Sequence, residues 1–142
     1  MKANELMIGD WVYTNRDYMP IAQVEAIYPH FIFTKDGEYE GEEIKENDIE
    51  PIPLTPEILE KNGFEKEEYG LIWKSEQNVC DINGFPRIYA WVSFWKKGCI
   101  REVEISNIDT FYKDKIKQSN TYYVHQLQQA LRLCGIEKEI TL

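Results

Sequence analysis

Turn-forming residues recur at short intervals through the first fifty positions, and this most limits what the chain can become. Gly9-Asp10, Pro20, Pro29 and Asp36-Gly37 leave segments of no more than nine residues between them. A stable amphipathic helix needs about 10–12 residues, whereas strands of 4–8 fit. The segments DWVYT (10–14), PIAQVEAIY (20–28), HFIFTK (30–35), EYEGEEIK (38–45) and NDIEPI (47–52) are rich in β-branched and aromatic residues. Asp36-Gly37 supplies the positive φ of a tight hairpin, and the two prolines sit at segment starts, where a missing N–H costs little. Five short strands after a Gly-Asp turn predict a small SH3-like β-barrel over residues 1–53.

Beyond Pro51 and Pro53 the pattern changes. In LTPEILEKNGF, Thr55 is placed to cap a helix, Pro56 suits its first position, and Gly63 is the left-handed stop that lets Phe64 fold back on Leu59. A second β region follows, with LIWKS (71–75), NVCDI (78–82), FPRIYAWVSFW (85–95) and CIREVEI (99–105) joined at Asn83-Gly84 and Lys97-Gly98. Strand 85–95 is apolar on both faces and is expected at the centre of an antiparallel meander, with Tyr89, Trp91 and Trp95 along one side beside Arg87. That aromatic row reads as core under a helix, or as a surface that stacks bases or grips a peptide. In YYVHQLQQALRLCG, Val124, Leu127, Leu131 and Cys134 recur at helical spacing with Ala130 among them. His125, Gln128, Gln129 and Arg132 are then expected beside the apolar stripe, and EKEITL as an edge strand. The fold class is therefore α+β: an SH3-like barrel (1–53), then an antiparallel meander with two helices (54–142).

The net charge of −9 is concentrated. Residues 35–68 hold thirteen Asp/Glu against four Lys, and the rest of the chain carries twelve of each sign. Duplex-binding proteins present a basic stripe to phosphate, so direct binding to DNA or RNA is disfavoured. The acidic segment reads as a solvated face, a docking surface for a basic protein, or a nucleic-acid mimic. No apolar run approaches the ~18 residues of a membrane span, and the first residues carry no secretory signal, so a cytoplasmic location is expected. Cys80, Cys99 and Cys134 are odd in number and lack paired spacing, so all three are expected reduced and metal-free.

Signals for catalysis are sparse. No GxSxG elbow, P-loop, dinucleotide fingerprint or HExxH spacing occurs, and twenty-five carboxylates single out no acid–base pair. His125 lies among glutamines, which neither transfer protons at neutral pH nor bind metals well, and reads as an interface or a wet helix face. Trp11, Tyr13 and Tyr18 of the barrel either line a ligand groove or fill and rim its core. With Glu40, Glu42, Glu43, His125, Gln128 and Arg132 they make up the candidate interaction surface. No catalytic residue, cofactor or metal is assigned, and a homodimer through exposed aromatics stays open.

MKANELMIGDWV, IPLTPEILEKNGF and YYVHQLQQAL, in that order, resemble a family of short proteins encoded in gut bacterial genomes, many in phage-derived or mobile regions. The resemblance spans both ends and the centre of the chain and implies an accessory protein of a mobile element. It implies no activity and no site residues. The function expected is thus non-enzymatic protein binding. The alternatives are an acidic mimic that occupies a nucleic-acid-binding protein, and a small hydrolase whose site the sequence does not reveal.

Overall fold

The computed structural model describes residues 1–36, 39–75, 88–95, 99–107, 112–117 and 122–142, with backbone alone at 36, 39, 40 and 112–117. The expected strand at 78–82 and the turns at Asp36-Gly37, Asn83-Gly84 and Lys97-Gly98 lie, wholly or in part, outside the described residues. Two compact units form: residues 1–53 with 123–129, and residues 54–122 with 130–142. The first unit thus takes in the start of the last helix as well as the N-terminal stretch.

The first unit holds β1 (Trp11–Thr14), β2 (Ile21–Ile27), β3 (Phe31–Asp36), β4 (Tyr39–Lys45) and β5 (Ile49–Pro51) in one antiparallel sheet, ordered β4-β3-β2-β1-β5. A 3₁₀ turn, Glu46–Asp48, links β4 to β5. The strands fall where turn chemistry and β-branched residues put them, but the expected barrel does not close. No ladder joins β4 to β5 among the described residues, so the sheet is open. Its inner face carries Val12, Ala22, Val24, Ile32, Ile44 and Ile49, covered by Ala3, Leu6 and Met19. Ala3 belongs to a 3₁₀ turn, Ala3–Glu5, that the turn signals did not announce.

In the second unit, α1 (Pro56–Lys61) is built as its residues dictate. Thr55 Oγ1 accepts the Ile58 N–H at 3.3 Å. Gly63 takes φ +82°, and the Phe64 N–H reaches the Leu59 carbonyl at 3.0 Å, closing the helix in a Schellman turn. The second sheet runs β10 (Tyr112–Lys117), β9 (Ile100–Asn107), β8 (Ile88–Phe94), β7 (Gly70–Lys74), with the three-residue β6 (Glu65–Glu67) at its edge. β8 is central, as its two apolar faces require. Leu71, Val92 and Val103 share one rung, and Ala90 and Ile105 the next, all buried. On the opposite face Tyr89 and Trp91 are half-buried, and the Tyr89 hydroxyl donates to Glu104 Oε1. Burial, and then that carboxylate, push the Tyr89 phenol above its ordinary range. A register shift between Ser93 and Phe94 breaks the alternation, so Trp95 lies exposed under the Arg101 guanidinium at 4.8 Å.

Two expectations for the C-terminal part need correction. Residues 137–142 form no strand, although Ile140 is buried. Within them Thr141 is held by side-chain bonds to Asn62, through both its N–H and its carbonyl. On α2 (Val124–Leu133), Val124, His125, Leu127, Gln128, Ala130 and Leu131 are all buried. More than half the helix circumference is therefore interior, where a stripe of about 100° was expected. Among the described residues no helix is long and apolar enough to cross a membrane.

Candidate functional site

The outward face of the first sheet follows from strand alternation. Because Val12, Ala22, Val24, Thr34, Ile44 and Ile49 point inward, their neighbours point out. Tyr13 pairs with Ile21 on one side and Glu50 on the other. Trp11, Gln23 and Lys35 form the next rung, and Phe33 pairs with Glu43. Phe33 packs over Gly41, where an added Cβ would come within 2.3 Å of its ring. Tyr13 and Ile21 are 39% and 37% exposed, and Trp11 and Phe33 are half-buried. The result is an aromatic and aliphatic ledge with carboxylates at its margins.

Tyr18 and Glu42 also come together, the phenol donating to Glu42 Oε2 at 2.6 Å. That bond is the main reason the exposed Tyr18 phenol titrates above its ordinary range. The backbone of Glu40 lies in β4, and its side chain is outside the described residues. Carboxylates of the acidic segment have partners of their own. Glu46 accepts the Ala3 N–H at 2.8 Å, Asp48 accepts from Asn15 at 2.7 Å, and Glu60 pairs with Lys66 at 3.2 Å. The segment is also divided between the two units, with Glu43 and Glu50 in the first and Glu60 and Glu67 in the second.

The helix residues behave differently from a wet face. Gln128 is 1% exposed, which removes it from any surface of contact. Arg132 belongs to the second unit and bonds Glu139 Oε2 at 3.3 Å. His125 is 5% exposed and lines a pocket of about 690 Å³ with Asn4, Glu5, Pro51, Tyr123, Gln126 and Gln129. The two ends of this unit's sequence meet there through Gln129, whose Nε2 donates to the Glu5 carbonyl at 3.0 Å and to Asp10 Oδ2 at 2.7 Å. The fully buried Asp10 carboxylate also accepts the Met7 N–H at 2.8 Å.

At the helix start, Gln126 Oε1 accepts the Tyr123 N–H at 3.0 Å. The His125 imidazole lies nearly parallel to the Tyr123 ring, with centroids 5.8 Å apart, and its buried Nδ1 has no hydrogen-bond partner among the described residues. Burial pulls the imidazole below its ordinary titration range against the opposing pull of Asp10 and Glu5. A histidine beside a carboxylate is the beginning of acid–base machinery, yet the described lining includes no serine, threonine or cysteine. The arrangement offers hydrogen bonds and ring faces. Sequence reasoning missed the pocket because Glu5, Asp10 and Gln129 carry no motif, and only the fold brings positions so far apart together.

Among the described residues, no group of three His, Cys, Asp or Glu side chains is arranged to hold a metal ion. Cys99 is exposed, Cys134 is buried, and Cys80 lies outside the described residues. Compared with protein families, curated proteins and solved structures, the chain matches none.

Proposed function

We propose that the protein is a non-enzymatic binding protein that docks a basic protein partner on the outward face of its first sheet, as an accessory factor of a phage or mobile element. The observation that carries this reading is the ledge of Trp11, Tyr13, Ile21 and Phe33, with Glu43 and Glu50 at its margins. Aromatic and aliphatic anchors supply affinity when desolvated, and carboxylates at the rim favour cationic partners and repel phosphate. The order β4-β3-β2-β1-β5, with one 3₁₀ turn before β5, supports an SH3-like description of this unit. Small sheets of that kind serve many binding roles, so the residues on the face carry the argument and not the fold.

The test uses a peptide that alternates lysine and leucine, with its affinity followed by fluorescence anisotropy. Tyr13→Ala with Ile21→Ala should weaken binding at least about tenfold by removing the anchors. Glu43→Lys with Glu50→Lys should weaken it mainly at low salt. Equal affinity of both variants and the native protein would reject the proposal.

A further inference from the structure

We infer that the pocket formed by the N-terminal 3₁₀ turn and the first turns of α2 binds a neutral polyhydroxylated ligand of the sugar class. This site is separate from the sheet face and does not depend on it. Its volume, about 690 Å³, falls within the range of small-molecule sites.

The chemistry lies in what the lining has left unspent. Gln126 uses its oxygen on the Tyr123 N–H and keeps its NH₂ group. Gln129 uses its nitrogen on Glu5 and Asp10 and keeps its oxygen. The Asn4 amide, the Tyr123 hydroxyl and the His125 imidazole make no hydrogen bond among the described residues, and His125 is an interior side chain. The His125 Nδ1 is buried, so the imidazole can offer the pocket only its Nε2, as donor or acceptor. The pocket therefore presents donors and acceptors side by side.

Candidate ligands divide on that point. An ammonium or guanidinium group donates only: it could meet the Gln129 oxygen and the Glu5 carboxylate, but would leave the Gln126 and Asn4 NH₂ groups without an acceptor. A carboxylate or phosphate accepts only, and would meet the Glu5 carboxylate at the rim. A hydroxyl does both, and adjacent hydroxyls on a sugar ring repeat that ability at the spacing of neighbouring side chains. The apolar C–H face of such a ring also suits the flat face of Tyr123, in the way that most binding pockets pair a ring surface with a few polar contacts.

The experiment is an NMR titration of the full chain, following the His125 imidazole and Tyr123 ring signals. The probes are glucose, galactose and maltose, with glucosamine and glucuronate as the cationic and anionic arms, each to about 50 mM. At least one neutral sugar should give saturable shifts with half-saturation on the order of millimolar. Asn4→Ala, at an exposed position, and Tyr123→Phe, which keeps the ring, should each weaken that binding several-fold without moving the thermal midpoint. The inference fails if no neutral sugar shifts these signals, if either charged sugar binds as well as the neutral ones, or if both variants bind like the native protein.

Discussion

Asn62, at the C-terminal cap of α1, ties the tail of the chain to the second unit. Its Nδ2 donates to the Ile58 and Thr141 carbonyls, both at 2.8 Å. Its Oδ1 accepts the Thr141 N–H at 2.8 Å and the Thr141 hydroxyl at 3.3 Å. Three well-formed bonds at a net ~1 kcal/mol each give about 3 kcal/mol, less what water returns to the exposed Thr141. Asn62→Ala should therefore cost about 2–3 kcal/mol. Asn62→Asp should cost more at neutral pH, because it turns a carboxylate oxygen toward two carbonyl oxygens. In that variant the folded-state carboxyl would titrate above its unfolded value. Its deficit should thus shrink as pH falls through the raised folded value, the reverse of a carboxylate with a cationic partner. Urea unfolding followed by tryptophan fluorescence reads the second unit well, since Trp73, Trp91 and Trp95 belong to it and Trp11 does not. Loss of under about 0.5 kcal/mol in the alanine variant, or a pH-independent aspartate variant, would refute the assignment of this clamp.

Three further outcomes are expected. His125 is held below its ordinary value of 6.5 by burial, so the neutral imidazole is the folded form and its stabilising contribution is complete above that value. Stability should fall as pH drops from about 6.5 toward the lowered folded value, and His125→Phe should flatten that fall in denaturation curves taken across the window. Gly70→Ala would place a Cβ 2.2 Å from the Val92 carbonyl oxygen on the neighbouring strand, and should cost about 3 kcal/mol by thermal unfolding. Gly63→Ala meets no atom within 4 Å, so only its φ of +82° is penalised, and it should cost about 1 kcal/mol in the same assay.

Where local chemistry decides structure, the sequence was readable. β1 to β5 and α1 follow from turn residues, a cap and a stop, all within a few positions of the elements they bound. β6 was hidden because Glu65, Lys66 and Glu67 have poor strand preference and pair only because β7 lies beside them. β10 carries a period of two in YKDKIK, but its alternate lysines supply no apolar row to mark a buried face. The open edge of the first sheet and the broad burial of α2 depend on what packs where, which a period cannot reveal. The same holds for the candidate sites. Trp11 and Tyr13, which the sequence leaves open between a ligand groove and the core, share one face with Glu43 by strand alternation. Gln128 was misplaced because a helix buried over more than half its circumference has no wet side at that position. The pocket beside His125 needed the meeting of Glu5, Asp10 and Gln129, which no spacing records.

The central claim is that the first sheet's outward face, and no other surface, receives a basic partner. Amide shift mapping of the ¹⁵N-labelled protein tests it, with the lysine–leucine peptide and a duplex DNA of equal charge magnitude as separate ligands. The account predicts peptide-induced shifts at Tyr13, Ile21, Gln23, Glu43 and Glu50. These should weaken between about 0.01 and 0.15 M salt as the screening length falls from about 30 to 8 Å. Duplex DNA should produce none at either salt. Tighter binding of DNA than of peptide, or peptide shifts centred on Tyr69 and Trp95 of the second unit, would contradict it.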